Sequence, residues 1–438
     1  MARDAMFHPD FKAKPYWWEA YEPRATTLLE LPKSARVVIV GAGYAGISTA
    51  LELAKQGIEA VVLEANEPGF GASSRNAGFV GSYSNLSTRY GRKKQAGDGE
   101  SERQSHGDAL DSGALVHRLI QEEGIDCHWS LPGHLIAAWT PRHYAGMAAK
   151  VAYLNAMADW GAALVPPERM REELATDFYH GAMVIAQSGL IHPALYYRGL
   201  LAACERRGVP VCAKAPVTRL ADLGGKWRVE TGRGAIEAGE VVIATNGYTG
   251  DATPQFKRRL VPIGSYMIAT EELPEGMVQK LIPRGRSCTD SRRVLSYCRP
   301  APDGRRLLFG GRVRFALTDP TETARLLHPL MLQRFPELDG IRITHGWTGT
   351  LGFTFDERSH MGRREGLHYA LGCNGAGIAM MTYLGTQTGR KIARAANYRC
   401  SFDSPEFPSH PLYNGNPWFV PLVGQYFKAR DWLDRKLS

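Results

Sequence analysis

The sequence predicts an α/β fold in which a parallel-sheet lobe is interleaved with an α+β lobe built on a mainly antiparallel sheet. Three observations point there. The chain has 438 residues, too many for a single compact core, so more than one domain is expected. Residues 36–64 read as strand, glycine turn, helix and strand, a βαβ unit that demands parallel strands with a right-handed crossover. From about 261 to 342, short strand-like pieces (SYMIAT, RVLSYCRP, RRLLFGG) alternate with turns around one helix near 321–335.

Taken in order, residues 1–34 carry aromatics and prolines (Tyr16, Trp17, Trp18, Pro15, Pro23, Pro32). They are expected to lie as an arm over a domain surface, without regular structure. RVVIV, Arg36 to Val40, is a run of β-branched residues suited to a buried strand. In ISTALELAKQ, Ile47, Ala50, Leu51 and Ala54 fall at helical spacing, and Gly57 ends the helix. EAVVLEAN supplies the second buried strand. Polar residues 82–107 are expected to form an exposed, lid-like loop. Helices follow near 109–123 and 142–160, with a strand pair in HWSLPGHLIAAW between them. A helix after His192-Pro193 leads into strand VPVCAK; WRVETGRGAIEAGEVVIATN reads as a hairpin followed by a buried strand, 241–245. The turn LGCNGAGIAMM opens a helix to about Ala396, and 397–438 are expected to form a tail fixed by aromatic docking. This assigns 35–88, 190–260 and 343–396 to the parallel lobe, and 89–189 with 261–342 to the antiparallel, substrate-facing lobe.

Composition limits the function classes. Hydrophobic residues make up 44% and charged ones 22%, which excludes disorder, collagen-like repeats and a coiled coil. No apolar run approaches the roughly 20 residues that cross a bilayer, and the first residues, MARDAMFHPDFKAKPYWW, lack a secretory stretch. The seven cysteines (Cys127, Cys204, Cys212, Cys288, Cys298, Cys373, Cys400) form no CxxC pair, so neither a disulfide framework nor a metal site is expected. A reduced cytoplasm is the expected compartment. The formal charge of +9 comes from scattered doublets such as Arg206-Arg207 and Arg292-Arg293, not from a nucleic-acid-binding module. It fits a solvated surface with a pocket for an anionic cofactor.

The βαβ unit carries Gly41-Ala42-Gly43-Tyr44-Ala45-Gly46, a G-x-G-x-x-G. The first glycine permits the tight turn, the second a close approach to a pyrophosphate, and the third helix–strand packing. Amides at the helix start, including those of Tyr44 and Ala45, face the phosphates. Glu64, followed by Ala65, ends the second strand, where an acid accepts hydrogen bonds from a ribose and disfavours a 2′-phosphate. FAD and NAD both remain possible on this unit alone. A second loop follows: Gly69-Phe70-Gly71-Ala72-Ser73-Ser74-Arg75-Asn76-Ala77-Gly78. Its small residues and hydroxyls suit a backbone passing close to phosphate and a flat ring, with Arg75 adding a cation.

These two segments, with VVIATNGYT at 241–249, PIGSYMIAT at 262–270 and GCNGAGIAMMTYLG at 372–385, resemble the FAD-dependent D-amino acid oxidase superfamily. The likeness is to its branch of glycine and sarcosine oxidases and γ-glutamylputrescine oxidoreductases. The resemblance implies a Rossmann-like FAD domain. It places AMP against the first glycine turn and Glu64, and the loop Ser73 to Asn76 beside pyrophosphate and flavin. It further implies backbone contacts from Val217 to adenine, with Ala244, Thr245 and Asn246 along the channel. Gly375, Ala376, Gly377, Ile378 and Ala379 then start a helix near the flavin pyrimidine, whose N-terminus suits negative charge on the reduced ring. Some relatives attach flavin through a cysteine upstream of T-x-D; here Thr354-Phe355-Asp356 is preceded at that position by Gly349, so noncovalent FAD is expected. The stretch Arg306-Leu307-Leu308-Phe309-Gly310-Gly311-Arg312 lacks the lysine that sarcosine oxidases carry near the flavin. The electron acceptor is thus oxygen or another, such as a quinone or an electron-transfer protein.

The activity implied is oxidation of a small amine or amino acid by hydride transfer to flavin N5, giving an imine that hydrolyses. Expected pocket residues are Tyr266, Tyr297, Arg312, Trp347, Phe353 and His360, with Arg312 placed to clamp a carboxylate and His360 to take a proton. A flavin-dependent monooxygenase and a nonenzymatic FAD-binding protein are the alternatives. The first needs a second nucleotide fingerprint, which the sequence does not show; oligomeric state is not legible.

Overall fold

The computed structural model describes residues 5–24, 28–81, 99–314 and 318–437, organised on two large sheets. The first has a parallel core in the order Val211–Cys212, Ala60–Leu63, Ser34–Val40, Gly234–Ile243 and Leu367–Leu371. Val38 sits between Val61 and Val241, and Val37, Val38 and Ile39 are completely buried, as a β-branched run covered on both faces requires. Helix Tyr44–Lys55 returns the chain between the first two of these strands in sequence. It packs on helix Gly377–Ala393, where a Cβ on Gly385 would lie 2.2 Å from the Ala45 carbonyl oxygen, so only glycine lets the helices meet. Antiparallel additions flank the parallel core: Val217–Asp222 and Trp227–Thr231 on one part, His360–Arg364 on Leu367–Leu371. The hairpin arm and the buried strand expected separately are one strand, Gly234–Ile243.

The second sheet has nine strands. Their order is Phe7–Lys12, Ile343–Phe353, Val261–Thr270, Leu307–Gly311, Ser296–Pro300, Ser287–Asp290, His134–Ala137, Ala182–Ile185 and Ala162–Val165. Neighbours run antiparallel except the first pair and the Ser287–Asp290/His134–Ala137 pair. Helix Pro320–Arg334 covers one face, its Ala324, Leu327 and Met331 clustering with Ile268 and Phe309. The opposite face presents Met267, Leu308 and Trp347 to Trp17 of the N-terminal segment.

Several expectations need correcting. The N-terminal arm contains the strand Phe7–Lys12, which escapes a sequence reading because Pro9 interrupts it; an edge strand tolerates that residue. Of the expected loop 82–107, residues 82–98 lie outside the described residues, and 99–107 belong to helix Gly99–Glu123. GESERQSHGD looks solvated, yet His106 accepts a hydrogen bond from Trp160 Nε1 (3.0 Å) and Asp108 accepts from the Tyr383 hydroxyl (2.9 Å). HWSLPGHLIAAW holds one strand, His134–Ala137, and an isolated bridge at Ser130. Ile343–Phe353, expected with the parallel lobe, lies in the nine-stranded sheet. The tail is docked by aromatics as expected, Phe407 stacking on His360 at 4.4 Å and Tyr413 meeting Phe355 at 5.4 Å. It also contains a helix, Val420–Lys436, held by Asp431, whose carboxylate accepts from the backbone N–H groups of Arg293 and Val294.

Candidate active site

Strand Ser34–Val40 delivers the chain into Gly41, at φ +103°, where a Cβ would stand 2.9 Å from the Ala244 carbonyl oxygen. Only glycine fits that conformation and that approach. Gly43 caps helix Tyr44–Lys55, and the Tyr44 N–H donates to Ser73 Oγ at 3.0 Å, tying the glycine turn to the second loop. Glu64 leaves the next strand with one carboxylate oxygen accepting from the Ala42 N–H and the other from the Asn66 N–H, each at 2.9 Å. Burial raises its pKa above the ordinary carboxyl value, and these N–H groups oppose the rise.

A cleft of about 310 Å³ opens over this turn. Its walls bring together Gly41, Gly43, Tyr44 and Ala45 of the first turn with Glu64 and Ala65. Gly71, Ala72, Ser73, Asn76 and Ala77 of the second loop line it too, as do Val217, Ala244, Thr245 and Asn246. Gly375, Gly377 and Ile378 complete the set, so two long helices begin at one cavity. No lysine or arginine is among the described residues lining it; attraction for an anion there comes from free first-turn N–H groups and helix dipoles.

Six residues expected at the cofactor do not line the cleft. Gly46 packs the helix onto the turn: a Cβ there would lie 1.9 Å from the Gly41 oxygen. Ala376 caps helix Gly377–Ala393 and Ala379 is buried within it. Arg75 offers the cleft no cation: its guanidinium lies between the rings of Trp18 (4.5 Å) and Phe70 (4.4 Å) and donates to the Phe70 oxygen at 2.7 Å. Ser74 and Gly78 belong to the loop's outer support. Trp18 Nε1 donates to Ser74 Oγ (2.9 Å), Trp347 Nε1 to the Arg75 oxygen (2.8 Å) and Trp17 Nε1 to the Asn76 oxygen (2.8 Å). The buried Arg299 guanidinium donates to the oxygens of Ala77 (3.2 Å), Gly78 (3.3 Å) and Ile191 (2.7 Å). Burial pulls its pKa down to about 9. Three indoles and one guanidinium therefore fix the back of the loop whose front lines the cleft.

None of the six expected pocket residues lines the cleft itself, and they divide into two groups. Register decides for three of them. Tyr297 pairs with Gly310, which pairs with Met267, which pairs with Trp347; these share one sheet face, and Tyr266 points to the other. Tyr266 packs in the core with Ile268, Phe309 and Leu327, contrary to expectation. His360 is also structural. Its ring stacks on Phe407 (4.4 Å between centroids) and its Nε2 pairs with Asp356 at 3.0 Å. Tyr297 hydrogen-bonds Ser265 Oγ at 2.8 Å and meets Phe79, a cleft residue, edge to face at 6.0 Å. Burial pushes its phenol up to about 12, and the nearby Arg312 charge pulls against that rise. Arg312 lies over Phe353 at 4.7 Å, in an aromatic group that also packs Leu351, another cleft residue. Sequence reasoning missed Phe79, Leu351, Cys373 and Met381 in the cleft and Arg299 behind it. Only the unusual run Tyr16-Trp17-Trp18 hinted at the loop's support.

The family model described as FAD dependent oxidoreductase (DAO) matches residues 36–390. Gamma-glutamylputrescine oxidoreductase of Escherichia coli (strain K12) is 32% identical over 408 residues, covering 91% of this chain and 93% of that protein. A probable oxidoreductase, OrdL, of Haemophilus influenzae is 29% identical over 91% of this chain and 92% of its own. Among solved structures, glycine oxidase from Geobacillus kaustophilus superposes with a TM-score of 0.71 at 19% identity, covering 87% of this chain and 99% of that one. That likeness carries the Rossmann-like two-lobed fold. The strand–turn–helix with its terminal acid, the second glycine loop and the third glycine turn thus meet at one cleft inside the matched region, and the chain belongs to the DAO family of FAD-dependent oxidoreductases.

Proposed function

We propose that this enzyme oxidises the C–N bond of a small primary or secondary amine, with FAD in the cleft and the amine beside Tyr297, Ser265 and Arg312. One observation carries the reading: the cleft, framed by two helix N-termini and Glu64, adjoins through Phe79 and Leu351 a polar group set in aromatic surroundings. The residues present fit the cofactor, because a Cβ on Gly41 would collide with Ala244, and small residues (Gly43, Ala45, Gly71, Ala72, Gly375, Gly377) leave the backbone open to the cleft beside the acid Glu64. The amides of Gly43 and Ala45 would hold the pyrophosphate, the Tyr44 amide being engaged by Ser73 Oγ, and Glu64 the ribose hydroxyls, with Val217 beside adenine and the start of helix Gly377–Ala393 beside the pyrimidine. FAD, when bound, supplies a two-electron acceptor for the C–H bond next to the amine nitrogen. The chain contributes position and electrostatics. The Tyr297 phenol, neutral at pH 7, hydrogen-bonds the amine or its carboxylate end. Arg312 pairs with an anionic group, and the aromatic walls exclude water until the imine leaves to be hydrolysed to a carbonyl compound and an amine. The nature of the E. coli relative favours a γ-glutamylated polyamine among candidates.

Gly349, with its Cβ position 3.6 Å from the Arg75 Cβ, offers no thiol, so FAD is held without a covalent bond and acid precipitation releases it. Electrons leave to oxygen or another acceptor, and the compartment is the cytoplasm. The test is to add sarcosine, glycine, D-amino acids and γ-glutamylputrescine to the protein without oxygen, recording absorbance at about 450 nm, the oxidised-flavin band. Bleaching by at least one amine supports the reading; a band that no amine alters refutes it. Admitting air then shows whether oxygen restores the colour.

A further inference from the structure

Helix Val420–Lys436 buries Val420, Gly424 and Asp431 against the body of the protein. Its outer face carries an apolar stripe that none of the described residues covers. Leu422 (67% exposed), Tyr426 (57%), Leu433 (39%) and Leu437 (73%) recur at helical spacing, and Trp418 (58%) and Trp432 (61%) stand beside them. Exposed apolar residues in a contiguous row mark an interaction surface. Next to the stripe is a polar cavity of about 210 Å³, lined by Thr140, Arg142, His143, Arg293, Arg430, Asp434 and Leu437. Thr140 is the N-cap of helix Pro141–Met157, so a helix N-terminus also opens there. The two carboxylates at this place, Asp431 and Asp434, both engage Arg293, which leaves the cationic groups Arg142 and Arg430 to set the sign of the rim.

Charge selects the occupant. Helix Val420–Lys436 holds no acid other than Asp431 and Asp434, while Arg430, Arg435 and Lys436 are exposed along it. A second copy of the chain would set these cations against their own images. A surface that offers phosphates in front and acyl chains behind matches both features at once. We propose that this helix is a docking element for an anionic phospholipid surface, with a headgroup phosphate between Arg142 and Arg430 at the rim of the cavity and the Leu422–Leu437 stripe in the acyl boundary. The helix lies on the membrane and does not cross it; no helix among the described residues is long and apolar enough to span a bilayer. The inference uses no residue of the cofactor cleft, so it stands or falls apart from the proposed function.

The test is flotation of the FAD-loaded full chain with vesicles of equal phosphatidylglycerol and phosphatidylcholine, and with phosphatidylcholine alone, in about 0.1 M salt. The wild type floats with the anionic vesicles and not with the neutral ones. The double variants Leu422→Glu/Leu433→Glu and Arg142→Gln/Arg430→Gln each lose at least tenfold in partition, since each basic residue contributes roughly fivefold. Both retain flavin content and far-ultraviolet circular dichroism. Absence of wild-type flotation, equal binding to neutral vesicles, or variants that float like the wild type would overturn the proposal. So would light scattering that shows a dimer split by the Leu422→Glu/Leu433→Glu change, or protection by millimolar inorganic phosphate without vesicle binding.

Discussion

Replacing Glu64 by Gln probes the cofactor end of the cleft at a single atom. Both carboxylate oxygens accept a backbone N–H at 2.9 Å, from Ala42 and from Asn66, and each keeps a lone pair for a ribose hydroxyl. An amide keeps one acceptor and turns its NH2 toward the other donor. A hydrogen bond to a charged acceptor is worth about 1.5–3 kcal/mol and a neutral one about 0.5–1.5, so each ribose bond weakens by about 1 kcal/mol. Two such bonds give about 2 kcal/mol, roughly thirtyfold in the Kd for FAD. The apoprotein changes less, because burial already burdens the charge of Glu64 and the amide removes that burden. Titration of FAD into apoprotein, followed by flavin fluorescence, should therefore show a Kd raised by one to two orders of magnitude with a nearly constant apoprotein melting temperature. A Kd within twofold of wild type would refute the assignment of Glu64 to the ribose.

Trp347→Phe leaves the Arg75 carbonyl without its indole donor, a cost of about 1–3 kcal/mol in a buried place. It should lower both unfolding stability, measured in urea, and FAD affinity, because that carbonyl belongs to the cleft's second loop. His192, buried at the start of helix Pro193–Glu205, has its pKa lowered to about 3, first by desolvation and then by the charges of His128 and Arg299. The folded pKa lies below the unfolded one, so the unfolded chain binds the proton first and stability falls as pH drops below about 6.5. By pH 5 the loss is about 2 kcal/mol; His192→Asn, which keeps a helix-capping side chain, should abolish that part of the urea-midpoint shift between pH 7 and 5. His360→Gln should cost about 1 kcal/mol of stability through the lost Asp356 pair and leave the amine reduction rate unchanged.

The cofactor half of the molecule was legible because its demands are local. A glycine at φ +103°, a β-branched strand and a strand-end acid each follow from neighbours in the chain, and Gly41, Ser73, Glu64 and Gly377 duly meet at the cleft. Arg75 misled because its charge says nothing about direction, and Trp18 and Phe70, close in space, set that direction. Tyr266 and Tyr297 look alike in sequence, yet which face each occupies depends on register among three strands. Arg299 was invisible for a different reason: it works on the backbone oxygens of a loop far away in the chain. Helix Val420–Lys436 was read as a tail because its inward side includes Asp431, a polar anchor that breaks the apolar period.

The account places substrate against Tyr297 and Arg312, behind Phe79 and next to bound FAD. Anaerobic stopped-flow reduction by the best amine, compared among wild type, Tyr297→Phe and Arg312→Met, tests that placement most directly. The variants should keep FAD yet need at least tenfold more amine for half-maximal reduction; flavin reduction with wild-type concentration dependence in both would contradict it.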